Sequence, residues 1–253
     1  MNRAITNLRE SLNERTCVKV IAGIDNFDAE KVRKVVIAAE RGGANAVDIA
    51  ASVELIEMVK EITTLPVFVS SICPEELAMA VNAGADALEV GNYDALYKNG
   101  ERVTAAQVLE ITRKTRELVG NDVFLSVTVP GHISVEEQIV LAQSLEEMKI
   151  DLIQTEGAAT VDAKSAGARG LLETAQVSIA NTIELVRNVE VPVMTASGIG
   201  VTTAPMALAA GASAVGIGSS VNKLNSQIEM IASVMSIVEA VRESRNVKSK
   251  ELV

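Results

Sequence analysis

The sequence predicts a single (β/α)8 barrel, and three observations predict it. Eight short apolar segments alternate with helical patterns between residues 17 and 221, as expected for a parallel sheet covered by helices. The segments follow two templates in alternation, so four β/α pairs repeat a common design. Two strand-like stretches near the end, PVMTASGIG (192–200) and GASAVGIGSS (211–220), run into small, polar and Gly residues. A pair of such ends suits a phosphate, which barrels of this kind usually hold after strands seven and eight. The 253 residues equal one barrel of typical length, about 250.

In chain order, residues 1–16 place Ile5, Leu8 and Leu12 at helical spacing among charges and predict a helix capping the barrel floor. Strands are expected at 17–23, 46–50, 67–71, 87–92, 123–129, 151–157, 193–197 and 214–219. The odd strands share one template (TCVKVIAG, LPVFVSS, NDVFLSVT, VPVMTAS) and the even ones another (RGGANAVDIAA, NAGADALEVGN, AAGASAVGIGS). In the second template Gly43, Gly84 and Gly211 end the preceding helix in the left-handed conformation. Asp28 is expected to cap the first barrel helix, and Pro74 to start the third. The last helix is expected at 222–245, with a tail at 246–253. No linker divides the chain, so one domain spans 1–253.

Side chains alternate along a strand, and those meeting the helices should be apolar. With Val18, Val20 and Ala22 outward, Cys17, Lys19, Ile21 and Gly23 point in. The same test turns Asp48, Ser70, Glu89, Ser126, Thr128, Gln154, Glu156, Thr195 and Ser197 inward. So polar an interior is costly unless its groups pair or serve a site. Lys19 with Asp48 and Glu89 is either a catalytic acid–base or nucleophilic set, or a structural ion pair filling the lower barrel. Glu156 stands at the end of strand six, where catalytic residues gather. His132, the sole histidine, follows strand five and suits proton transfer, with a solvated loop residue as the alternative. Gln154, Thr195, Ser197, Gly198, Gly218 and Ser219 are the candidates for holding substrate and phosphate. Lys164 and Arg169, in the loop after strand six, either close over the anion or stay solvated.

Composition removes other classes. A net charge of −10 and 2 % aromatics lack the basic stripe or stacking platform of a nucleic-acid binder. No apolar run approaches the ~20 residues of a membrane span. Cys17 and Cys73 suggest neither a disulfide framework nor a zinc site, so no metal is expected.

The segments KVIAGIDNF, VDIAA, PVFVSSICPE, LEVGNYD, SVTVP, LIQTEG and ASGIG with GIGS together resemble the hypothetical chloroplast reading frame twenty-three family of cyanobacteria and algal plastids. The resemblance runs from about Cys17 to Val221. It implies an aldolase-type barrel in the cyanobacterial cytoplasm or the plastid stroma, and it carries over no catalytic residues. Strand six has Gln154 and Glu156 where class I aldolases keep a Schiff-base lysine.

Three functions remain open from sequence. One is an isomerase or lyase moving a proton beside the carbonyl of a small phosphorylated metabolite. Another is a non-catalytic ligand sensor or assembly factor. The third is a barrel holding flavin mononucleotide (FMN) by its phosphate. The first needs no cofactor, and a homo-oligomer is compatible with each. The Met-rich last helix is either an interface or a core-facing helix.

Overall fold

The computed structural model describes residues 3–97, 100–157 and 165–250. Among them the order is α1 (Arg3–Asn13), β1 (Cys17–Ile21), α2 (Ala29–Gly42), β2 (Ala46–Ala50), α3 (Val53–Ile62), β3 (Val67–Ser71), α4 (Pro74–Asn82) and β4 (Ala87–Val90). It continues with α5 (Asp94–Tyr97), α6 (Ala105–Val119), β5 (Phe124–Val129), α7 (Val135–Glu147), β6 (Leu152–Thr155) and α8 (Gly167–Leu185). The chain then forms β7 (Val193–Thr195), α9 (Ala204–Ala209), β8 (Ala214–Ile217), α10 (Ser219–Asn222) and α11 (Gln227–Lys250). All strands are parallel, and β8 returns to β1 to close the barrel in sequence order.

Local chemistry sets the helix limits. Asp28 accepts from the N–H groups of Glu30 and Lys31 at 3.1 Å, capping α2 as expected. Thr104 with Gln107 and Ser134 with Glu137 form capping boxes on α6 and α7. Pro74 opens α4 at its first turn. Gly43, Gly84 and Gly211 all take positive φ beyond their helices, at 79°, 100° and 116°. β1 and β4 stop short of the expected limits, because Gly23 and Gly91 turn the backbone to φ values of 119° and 141°. The short α10 separates β8 from the last helix, so α11 starts at Gln227 rather than 222 and continues through the expected tail to Lys250.

The outer core joins the outward strand residues, such as Val18, Val20, Val47, Ile49, Val69 and Leu88, to the apolar faces of the helices. A separate cluster closes the floor. It takes one side chain from every strand: Cys17, Ala46, Phe68, Ala87, Phe124, Leu152, Met194 and Ala214. Leu8 and Leu12 of α1 press against it from below, which is the floor cap read from the sequence. Along α11, Met230, Val234, Ile237, Val238 and Val241 are buried while Ile228 and Met235 are exposed, so this helix serves chiefly the core. No helix among the described residues is long and apolar enough to cross a membrane.

Candidate active site

Above the floor the barrel interior turns polar. Lys19 is fully buried, with its Nζ 4.8 Å from the ring centroid of Phe68 below it. The ammonium pairs with Glu89 Oε2 and lies 3.2 Å from Asp48 Oδ2. Ser70 Oγ donates to Asp48 Oδ1 at 2.6 Å. Asn92 Nδ2 donates to Asp48 Oδ2 at 3.2 Å and to Ser70 Oγ at 3.0 Å. Gln154 Nε2 contacts Glu89 Oε1 at 2.6 Å and Asn92 Oδ1 at 3.0 Å, and Thr128 Oγ1 donates to Glu89 Oε1 at 3.1 Å. The sequence-predicted Lys19, Asp48, Glu89 and Gln154 thus form one network, satisfied as buried charges must be.

Burial by itself would lower the Lys19 pKa, but Glu89 and Asp48 overcome it and hold the ammonium above its ordinary value. Burial raises the Glu89 pKa; Lys19 pulls it back, Asp48 pushes it up again, and the net direction is upward. Two carboxylates around one cation account for the Lys19 direction; for Glu89 burial is the larger cause and Asp48 adds to it. Two buried acceptors, Gln154 Oε1 and Ser126 Oγ, find no partner among the described residues. Gln154 Oε1 would lie 3.3 Å from a Cβ at Gly216.

A second cluster lies beyond the end of β6. Tyr97 Oη donates to Glu156 Oε2 at 2.7 Å and lies 3.1 Å from His132 Nδ1. The His132 ring meets the Tyr97 ring edge-on at 5.2 Å, and the Arg102 guanidinium covers that ring at 4.7 Å. Glu156 is nearly fully buried, whereas His132 is partly exposed. Burial lowers the His132 pKa, Arg102 lowers it further, and Glu137 opposes them. Tyr93 seals the inner side, buried and donating to the Thr128 carbonyl at 3.2 Å.

The third part is backbone. Ser197 and Gly198 follow β7 with consecutive positive φ values of 70° and 72°. A Cβ on Gly198 would come within 2.6–2.7 Å of the Thr174 carbonyl and the Ala175 nitrogen of α8, so only Gly fits. On the neighbouring strand end, Gly218 precedes α10 and Ser219 is exposed at its start. Gly200 and Ser220 face each other, with a Cβ on Gly200 placed 3.9 Å from Ser220 Cβ. The two Gly-rich strand ends therefore adjoin, as their spacing suggests.

Two expectations are corrected. Thr195 does not point into the barrel. Met194 fills that position in the floor cluster, while Thr195 Oγ1 lies 2.6 Å from Thr182 Oγ1 of α8. An outward polar residue is tolerated there because α8 offers a hydroxyl, so Thr195 is a packing residue. Thr195→Val is expected to cost about 1 kcal/mol of unfolding free energy for the lost hydrogen bond. Ligand binding should be unchanged, which denaturant titration and a phosphate melting curve on the same variant will check. Arg169 lies on α8 rather than in a loop, where it is exposed and paired with Glu173 at 3.2 Å. Lys164 lies outside the described residues.

Asn92 and Tyr97 escaped sequence reasoning. Asn92 takes φ 66° directly after Gly91, and the Gly-Asn pair is the signal that could have marked a shaped turn. Tyr97 is one of only two tyrosines in an aromatic-poor chain.

A family model described as "Protein of unknown function (DUF561)" matches residues 1–247. The "uncharacterized protein ycf23" of Cyanophora paradoxa is 40 % identical over 232 residues, covering 91 % of this chain and 93 % of the relative. That of Pyropia yezoensis is 35 % identical over 243 residues, covering 96 % and 89 %. Among solved structures, 3-hexulose-6-phosphate synthase from Salmonella typhimurium superposes with a TM-score of 0.65 at 13 % identity, covering 90 % of this chain and 99 % of that one. (S)-3-O-geranylgeranylglyceryl phosphate synthase from Thermoplasma acidophilum, in complex with sn-glycerol-1-phosphate, gives 0.60 at 15 % identity, covering 96 % and 99 %. These likenesses show the aldolase-type (β/α)8 fold.

Proposed function

The chain belongs to the DUF561 family, and from that premise we propose that it is an enzyme binding a small phosphorylated metabolite and moving a proton on it, as an isomerase or lyase. The observation that carries the reading is the left-handed Ser197 beside Gly198. A non-Gly residue in that conformation is uncommon, and such strain gathers at binding sites. The neighbouring strand end contributes Gly218 and Ser219, with Gly200 beside Ser220. A phosphate would sit against Ser197, Gly198, Gly218 and Ser219. The solved neighbour holding sn-glycerol-1-phosphate on a similar barrel lends support by fold analogy.

In this reading Glu156 exchanges the proton with the substrate, and His132 stands at the rim. Gln154, with its orphan Oε1, accepts a hydrogen bond from a substrate hydroxyl. Lys19 is held protonated and sealed, so it acts through its field on Asp48 and Glu89 rather than as a nucleophilic amine. A cytoplasmic or stromal location and a homo-oligomeric state accompany the reading.

Melting curves with inorganic phosphate, sn-glycerol-1-phosphate and phosphosugars test it. A ligand bound only by the native state at about a hundred times its Kd adds about 2.7 kcal/mol, and thus raises the midpoint by about 5–10 °C. A rise with one phosphorylated class that disappears in Ser197→Ala/Gly218→Ala supports the grip. A flat response to the whole panel overturns it and favours the sensor or assembly role.

A further inference from the structure

Glu156 is buried, with 3 % of its surface exposed, yet a group that exchanges protons with a substrate must also regain them from solvent. Its Oε2 accepts from Tyr97, and Tyr97 Oη in turn lies 3.1 Å from Nδ1 of the partly exposed His132. We propose that Tyr97 is a relay residue, carrying protons between solvent at His132 and the barrel carboxylate Glu156.

The proposal rests on the reading of Glu156 as the proton-exchanging group and adds the route that resets it. The geometry assigns each hydrogen. A phenol that donates to Glu156 has only its oxygen lone pairs left for His132, so His132 donates from Nδ1–H. In one shift the phenolic proton moves to Glu156 Oε2 and the Nδ1 proton moves to the phenolic oxygen. Imidazolium and carboxylate become imidazole and carboxylic acid, with Tyr97 neutral before and after. A solvent proton taken up at the bare Nδ1 then restores the imidazolium, with Nε2–H unchanged. The surrounding charges suit traffic in both directions. Arg102 over Tyr97 disfavours the imidazolium, Glu137 of α7 favours it, and burial keeps the ring readily neutral. Tyr93, packed toward Glu156 and Glu89 from the inner side, is buried and stays protonated, so it offers no competing path.

The chain has a single histidine, so its ring nitrogens can be followed by NMR without assignment in uniformly 15N-labelled full-length protein. Neutral His132 is expected as the Nδ1–H tautomer in the wild type. Tyr97→Phe keeps the ring and removes the hydroxyl, and should move the balance to Nε2–H. Glu156→Gln should lower the His132 midpoint by about half a pH unit, and this response should vanish in the Tyr97→Phe background. A wild-type Nε2–H tautomer, or a His132 titration indifferent to both variants, overturns the relay. A misfolded Tyr97→Phe protein leaves the wild-type tautomer and the Glu156→Gln shift to decide. None of these readouts uses a ligand, so the relay can fail while the phosphate melting response persists, and the reverse.

Discussion

Lys19→Met is expected to lose about 3–5 kcal/mol of stability, the scale on which removing one partner of a buried ion pair acts. The ammonium is the cation that Asp48 and Glu89 share with no solvent exposure on any of the three beyond 1 %. Its removal leaves two carboxylates in the barrel with only hydroxyl and amide donors. The triple variant Lys19→Met/Asp48→Asn/Glu89→Gln should recover most of the loss, since it removes the uncompensated charge as well. The pH profile carries a sign. The folded pKa of Lys19 is raised, so its contribution is fully present below the unfolded pKa and is lost as pH rises through the folded value. Glu89 is also raised, so its contribution falls as pH climbs through its own folded pKa. In Lys19→Met the buried Glu89 carboxyl loses its cation, and stability should improve on acidification from neutral pH. Urea unfolding between pH 5 and 8 measures this. A Lys19→Met protein as stable as wild type at pH 7 would show that the network is not held by its ion pair.

Gly198→Ala is the second large effect, at about 2–4 kcal/mol together with loss of the phosphate-induced rise in melting midpoint. Two costs combine. The φ of 72° strains any L residue, and the new Cβ meets Thr174 and Ala175 backbone atoms, which cannot rotate away. Gly43→Ala isolates the first cost, because Gly43 has φ 79° but nothing within 4 Å of a Cβ. It should lose about 1–2 kcal/mol and keep the ligand response. Equal losses in the two variants would mean that α8 yields, and that the Ser197–Gly198 turn is not clamped against it.

The barrel itself was legible because period-two alternation and helix punctuation act locally. Val18 and Val20 against Lys19, or Asp28 and Gly43 around α2, need no knowledge of distant residues. The polar network was legible only as orientation. That Lys19, Asp48 and Glu89 point inward follows from apolar neighbours; that Asn92 and Gln154 join them depends on register across strands. β7 departs from the expected orientation for a related reason. Apolar residues are expected to meet the helices, and that expectation fails where a helix brings its own hydroxyl, as Thr182 does for Thr195. Tyr97 lies outside any periodic segment, so nothing in its neighbours reveals that it reaches Glu156, 59 positions away.

The floor cluster has a consequence for how the chain assembles. Its seat for Leu8 and Leu12 takes one residue from each strand, the last being Ala214. α1 precedes every strand of the barrel and therefore has no complete docking surface until β8 has emerged. Until then its apolar stripe stays in water or in the care of a chaperone. Closure of the ring between β8 and β1 and the seating of α1 become one late, cooperative event. α1 then reports on completion of the barrel: protease protection at residues 3–13 appears with β8 and not before it.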